Sequence, residues 1–498
     1  MKKIYISLML VLGLGLLSSC EMDKKPFGSI DETTAVQNVN DLGRFRAGVY
    51  SALRGMNTGG WITYQDIQMD QFHGLISNGN RVGIISNGIF TSSDGDLESM
   101  YAGCYSRIAT ANYMIEKGTA MAESGEFEAA DVEKINLYKA EAYFLRAWYY
   151  YELASMFGNI PCPVTSSADA TQPQISGEAL WGQILQDAKK AADIMPSTVT
   201  TRGTGHVDKY CAEALLGRAY LFYSGFYNDE EVSLPNGETL TKADVQAAIK
   251  DCVDNSGYDL VPEFHNLWAY TNRISVEDEL SPWKGNGYNY VNNDGGVNPE
   301  AMFIIKFNTL PSWGTTIGYS NQTALFMGVR GQSNDSDHFP FGTGWGMCPV
   351  NPSLVADWKA TEPNDPRLDA SIISVDKWNY KFGGDSNIQE TGYYQTKTMP
   401  VIGRKSDGSG FWKSYVNEMY PGLTWSEGNE DNFQLNLIDD MVMIRFAEVL
   451  LMDAELNGNQ ASFDAVRARA GLPSKPINEE NIRNERRWEL AFEGVRFN

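Results

Sequence analysis

Histidine, cysteine and positive charge are all scarce in this chain. Of 498 residues, four are His and six are Cys, and 40 Lys and Arg stand against 63 Asp and Glu, for a net charge of −23. That balance leaves no basic face broad enough for generic nucleic-acid binding, and it disfavours polyanionic ligands. Apart from Cys20, treated below, the cysteines are Cys104, Cys162, Cys211, Cys252 and Cys348. An odd number without a C-x-x-C pair argues against a disulfide framework or a zinc site. Cys104 and Cys211 fall within helical patterns and read as small apolar packing residues. Catalytic signatures are missing too: there is no G-x-S-x-G, H-E-x-x-H or G-K-[ST]. His73, His206, His265 and His338 are scattered and read as surface or locally bonded residues. No catalytic residue, cofactor or metal is expected.

The N-terminus carries a short address. Lys2 and Lys3 precede an apolar run over 4–17, too short for a membrane span of ~20 residues. Ser18, Ser19 and Cys20 follow at once, a pattern that resembles a bacterial lipobox. Residues 1–19 are then a signal peptide, Cys20 the lipidated first residue, and 20–40 a polar tether. Several acyl chains, at ~0.8 kcal/mol per buried methylene, anchor stably. Nothing else approaches a span.

Apolar residues at i, i+3, i+4 and i+7 predict helices near 41–53, 97–117, 131–157, 184–195, 210–226 and 241–253. Asp41 reads as the cap of the first and Gly118 as the end of the second, and Thr241 with Asp244 reads as the opening of the sixth. Helices recur over 444–456, 461–470 and 479–492. Leu216-Gly217-x-Ala219-Tyr220 is similar to the first helix of a tetratricopeptide repeat, where small residues let two helices approach closely. The expected fold is mainly α: a helical-pair scaffold over 41–256, a loop-rich aromatic region over 257–440, and a C-terminal helical pair over 441–498. Short strands are expected at 302–307 and 441–444.

The loop-rich region holds eight of the twelve tryptophans. Loops need Trp for packing less than helices do, so the excess points to a ligand face. Asp94-x-Asp96-x-Glu98 is similar to the start of a calcium loop, but Ser99 and Tyr105 stand where Gly and Glu belong, so a helix cap is the better reading. The carboxylate pairs Asp335-x-Asp337 and Asp439-Asp440 read as solvated surface. Gly342-x-Gly344-x-Gly346 has no helix after it and reads as a flexible turn projecting Trp345.

Four ordered motifs carry a family resemblance. They are the helix from Ala140-Glu141-Ala142-Tyr143-Phe144-Leu145-Arg146-Ala147-Trp148 to Gly158-Asn159-Ile160-Pro161, then Asn364-Asp365-Pro366-Arg367-Leu368, then Ile444-Arg445-Phe446-Ala447-Glu448, and Glu485-Arg486-Arg487-Trp488-Glu489-Leu490-Ala491-Phe492-Glu493-Gly494. Together they resemble the SusD/RagB family over essentially the whole chain. That family's pattern continues beyond Asn498, so the sequence reads as C-terminally truncated. The motif charges Arg146, Arg445, Glu448, Arg486, Arg487 and Glu493 read as partly buried ion pairs that pin helix register. The resemblance implies a surface-exposed, lipid-anchored outer-membrane protein that is the lid of a SusC-like TonB-dependent transporter. Its ligand would be an oligosaccharide, or alternatively a peptide; a glycan hydrolase is a distant third. Binding is expected in loops after the first helix and in the middle segment, with Trp61, Asp70, Arg81, Phe90, Trp283, Tyr288, Tyr290, Trp313 and Trp345 as candidates.

Overall fold

Asn38 opens the first helix, α1 (Val39–Ser51), by accepting hydrogen bonds from the Asn40 and Asp41 amides. Asp41, expected as the cap, lies instead in the first turn, where its carboxylate accepts from the Gln37 amide and meets the positive end of the helix dipole. The computed structural model describes residues 35–53, 91, 95–168, 171–313, 320–329, 334–346, 349–378 and 391–495. The signal segment, Cys20, Cys348 and His73 lie outside these residues, as do Trp61, Asp70, Arg81, Phe90 and Asp94.

Four long helices follow α1: α2 (Gly95–Glu123), α3 (Ala129–Phe157), α4 (Glu178–Ile194) and α5 (Lys209–Tyr227). A hairpin of β1 (Glu231–Ser233) and β2 (Thr239–Thr241) leads into α6 (Lys242–Asn255), which Thr241 and Asp244 open with a reciprocal capping box. Gly158, at φ +68°, ends α3 as its sequence suggests. Gly118 does not end α2. It sits at a helix crossing, where a Cβ would stand 3.5 Å from Lys139 and 3.7 Å from Leu42.

Each of these helices packs on the next, and α1 packs on α2 and α3. A close helix-to-helix approach falls at Gly217 of α5. A Cβ there would lie 2.5 Å from Ile249 of α6 and 3.2 Å from the Met452 sulfur, so the tetratricopeptide-like expectation for this glycine is met in detail. Met452 belongs to α9 (Phe446–Asn457), far along the chain, and α9 packs directly on α6. The helical array therefore continues across the whole loop-rich excursion. Gly458, in the left-handed region, and Asn459, a side-chain cap, turn α9 into α10 (Gln460–Arg469); α11 (Glu479–Glu489) follows as the last helix of the described residues.

The excursion is tied down by its two expected strands. β3 (Ala301–Ile305) pairs antiparallel with β4 (Met441–Arg445), which runs straight into α9. Two short helices, α7 (Pro352–Thr361) and α8 (Pro366–Ser371), each start with Pro in the first turn, where its missing N–H costs nothing. Part of the excess of tryptophan serves packing. Trp268, Trp283 and Trp358 are buried in a second hydrophobic core of the loop-rich region, and Trp488 of α11 enters the same core, stacked on Trp358 at 4.9 Å. Short irregular segments bury little per residue, so wide indoles fill the space that helices fill elsewhere.

Between the two cores lies a network of buried charges. Arg367 of α8 bonds Asp365 at 2.8 Å, Glu485 at 2.6 Å and Glu489 at 2.8 Å. Arg445, at the end of β4, bonds Glu300, Glu489 and Glu493 at 2.5–2.6 Å. Arg467 adds Glu485 and Glu362; Arg469 adds Glu300 and Glu489. Burial would raise the Glu489 carboxyl, but Arg469, Arg445 and Arg367 hold it well below the usual carboxylate range. In the helical array Arg146 grips Asp187, and Glu448 grips Arg218. Arg486 and Arg487 are the exceptions to the expected burial of pairs: they face Glu455 at 3.7 Å and the exposed Asp357 at 3.1 Å.

Candidate functional site

The segment 434–442 runs from the end of the loop-rich region into β4, and a cavity opens against it. This pocket has a volume of about 460 Å3, within the usual range for small-ligand sites. Tyr290, Tyr415, Tyr420 and Trp268 supply its aromatic walls, with Val297 and Leu423 beside them, 51% and 40% exposed. Its polar groups are Asn292, Asn298, Lys306, Lys397, Asp439 and Asp440.

Secondary structure fixes where these groups point. The Tyr290 amide donates to the Thr271 carbonyl at 3.0 Å, and the Tyr290 hydroxyl accepts from Asn292 at 3.1 Å. Tyr415 donates its hydroxyl to Asp439 at 2.6 Å. Lys306, just past β3, bonds Asp440, just before β4, at 2.8 Å, so the strand pairing itself brings this ion pair together. Lys397 is fully covered, lies over the Phe264 and Trp268 rings, and bonds Glu493 at 2.6 Å.

The pair Asp439-Asp440 is thus not free surface. Both residues are half-buried, and burial raises both carboxyls, Asp439 to about 6. Burial also lowers the Lys397 ammonium to about 8, against the opposing pull of Glu493. Sequence reasoning missed this site apart from Tyr290. A usable signal was present: the acid pair is flanked by Leu437-Ile438 and Met441-Val442, an apolar setting that a solvated loop does not need.

The other described candidates divide by burial. Trp283 is 2% exposed and packs on Tyr270 and Phe341, so it supports the core. Tyr288 is half-buried and stacks on His265 at 4.0 Å. Trp313 and Trp345 are open to solvent, at 54% and 41%. The 309–313 loop of Trp313 is tied to the segment below the pocket by Ser426 N–H to Thr309 O and by Asn429 to Pro311 O. Trp345 donates its amide to the Leu325 carbonyl, and the short helix of Leu325 bonds the Gln434 carbonyl through Gln322.

The glycines around Trp345 do not make a flexible turn. A Cβ at Gly344 would collide with the Leu325 carbonyl and stand 2.6 Å from Gly328, so two chain segments are pressed together there. Trp345 is held out from a clamped position. The described histidines are locally bonded: His206 to Glu141, His265 to Glu263 and His338 to the Phe341 carbonyl. Cys104, Cys211 and Cys252 are buried free thiols, and Cys162 is a half-buried one. Asp335 is engaged by Lys413.

A helical array that holds out a loop-built aromatic pocket, with its strongest charges locked inside, defines a scaffold protein with a presented ligand face. Residues 22–221 match a family profile described as "Starch-binding associating with outer membrane", and residues 342–498 match that of the "SusD family". The chain belongs to the SusD/RagB family. SusD-like protein P2 of Formosa agariphila is 24% identical over all of this chain and 90% of its own length. Among solved structures, a laminarin binding SusD-like protein superposes with a TM-score of 0.70 at 23% identity, covering 93% of this chain and 90% of its own. Surface glycan-binding protein A from Bacteroides thetaiotaomicron, in complex with laminarihexaose, gives a TM-score of 0.67 at 16% identity, covering 93% and 89%. These likenesses establish the mainly helical fold. Among the described residues no helix is long and apolar enough to cross a membrane.

Proposed function

We propose that this chain is a non-catalytic oligosaccharide-binding lipoprotein of the outer membrane that hands its ligand to a SusC-like TonB-dependent transporter. The observation that carries the reading is the pocket of three tyrosines and one tryptophan beside carboxylate, amide and ammonium groups, in a loop-rich region that also exposes Trp313 and Trp345 to solvent. Pyranose rings present C–H faces that stack on aromatic rings, and hydroxyls that satisfy such polar groups. Relatives in which laminarihexaose or a xylogluco-oligosaccharide is bound support the same chemistry.

On this reading Trp313, Trp345 and Tyr290 touch sugar, Tyr288 flanks them, and Trp283 holds their support in place. Trp61, Asp70, Arg81 and Phe90 remain proposed contacts. Lipid on Cys20 keeps the chain at the surface, and the rigid array gives the transporter a broad face on which to dock. Calorimetry of the mature chain against a panel of neutral oligosaccharides tests this. Trp313→Ala and Trp345→Ala should each weaken binding by about 5- to 150-fold, from ~1–3 kcal/mol per stacked ring, with the melting temperature retained. Normal affinity in both variants discards these contacts; tight binding of peptides with none of glycans discards the reading.

A further inference from the structure

The pocket's charges do not cancel. Lys306 is matched by Asp440 at 2.8 Å, and Lys397 by Glu493 at 2.6 Å, with Glu493 also held by Arg445. Asp439 remains. Among the described residues its carboxylate has the Tyr415 hydroxyl at 2.6 Å as a partner, and no cation is paired with it. The like-charged Asp440 beside it pushes its carboxyl further up. Around it the walls are Tyr290, Tyr415, Tyr420 and Met419, aromatic and polarisable. A carboxylate in that setting loses hydration without gaining a counter-ion; the Tyr415 hydroxyl offsets part of that cost, and a cationic ligand would supply the missing charge.

We propose that the pocket takes a sugar unit bearing a protonated amine, a hexosamine, with its ammonium on Asp439. This rests on the glycan-binding reading and narrows it to one ligand class. An ammonium gives a charge-assisted hydrogen bond to the carboxylate, about twice as strong as a neutral one, and it is attracted to the tyrosine faces as well. The pyranose ring then stacks on those faces, while Asn292 and Asn298 stand by for its hydroxyls. Lys306 and Lys397 do not oppose the ligand's charge, because each is already neutralised by its own acid. A neutral sugar, by contrast, leaves the carboxylate without a counter-ion.

Titration of the mature chain at pH 6.5 with a β-1,4-glucosamine tetramer, beside its fully N-acetylated counterpart, is the test. The amine-bearing tetramer should bind at least tenfold tighter. Asp439→Asn, nearly isosteric, should cut that ratio below threefold. Val297→Trp, at an exposed position beside the pocket and away from the buried carboxylates, should weaken binding of the amine-bearing tetramer if Asp439→Asn does not fold. A ratio near one, a ratio that survives Asp439→Asn, or binding of neither tetramer overturns the inference. So does tighter binding of tetralysine than of the glucosamine tetramer. If neutral oligosaccharides bind and the amine adds nothing, this inference falls and the glycan reading stands. If no glycan of either kind binds to folded protein, both fall.

Discussion

Glu152 shows how a single side chain can set the pH response of the whole array. It is buried within α3, one carboxylate oxygen has no hydrogen-bond partner among the described residues, and burial raises its carboxyl from 4.5 to about 8, with Arg218 pulling the other way. Between those two values the folded chain holds a proton that the unfolded chain has released, so stability falls as pH rises from about 4.5 to about 8. Glu152→Gln should remove its share of that slope, leaving the share of Glu213 in α5, whose carboxyl burial also raises to about 8. In urea unfolding its advantage over the parent should grow to a few kcal/mol by about pH 8.5 and be small at about pH 4.5. At this scale the sequence was only partly legible. The Arg–carboxylate pairing of Arg146, Arg445, Glu448 and Glu493 could be read from charges set on apolar helices. The half-burial of Asp439 and Asp440 was signalled only by their apolar flanks, Leu437-Ile438 and Met441-Val442, because an acid pair by itself looks the same whether water or a pocket faces it.

Helix periodicity made the elements themselves legible, and the errors sit at glycines. Gly118 looked like a stop and is a crossing point; Gly342, Gly344 and Gly346 looked like slack and are a clamp; Gly217 was read correctly because its neighbours form a known helix-contact pattern. Glycine permits both a left-handed turn and a close approach, and the choice depends on partners far away in sequence. Gly217→Ala therefore makes a sharp test. Its methyl would meet Ile249 of α6 and the Met452 sulfur of α9. Overpacking of this kind costs about 2 kcal/mol, and chemical denaturation should show it as a lower midpoint with an unchanged slope. Gly103→Ala, on the open face of α2 where nothing lies within 4 Å of the new methyl, should not destabilise.

For the molecule as a whole, the charge network and the proposed lipid anchor matter most. Glu489 receives Arg367, Arg445 and Arg469 from three separate segments. Glu489→Gln removes the one carboxylate that all three share, leaving Arg367 with Asp365 and Glu485, Arg445 with Glu300 and Glu493, and Arg469 with Glu300, and breaking buried pairs in this way costs about 3–5 kcal/mol. Calorimetry should show a large drop in melting temperature, or separate melting of the two cores. Cys20→Ala should release the chain from outer-membrane fractions, and a tag on the unaltered chain should recover a β-barrel transporter in mild detergent. Membrane retention of the variant at the parental level would count against the anchor.

Because α6 meets α9 directly, the loop-rich excursion leaves the array and rejoins it at neighbouring points. On the proposed reading the recognition face is an exchangeable cassette: the loops of 257–440, apart from β3, can be lengthened, shortened or rewritten for a new ligand while the stack beneath keeps its register. The exchange is keyed to the C-terminal segment, whose charged residues also hold Glu300, Glu362 and Lys397. Trp488 of α11 sits in the cassette's own core, and Glu485 and Glu489 hold its Arg367. A graft of the cassette alone would leave an indole without its stacking partner and two carboxylates without a guanidinium, so a working transplant has to carry the last helix with it.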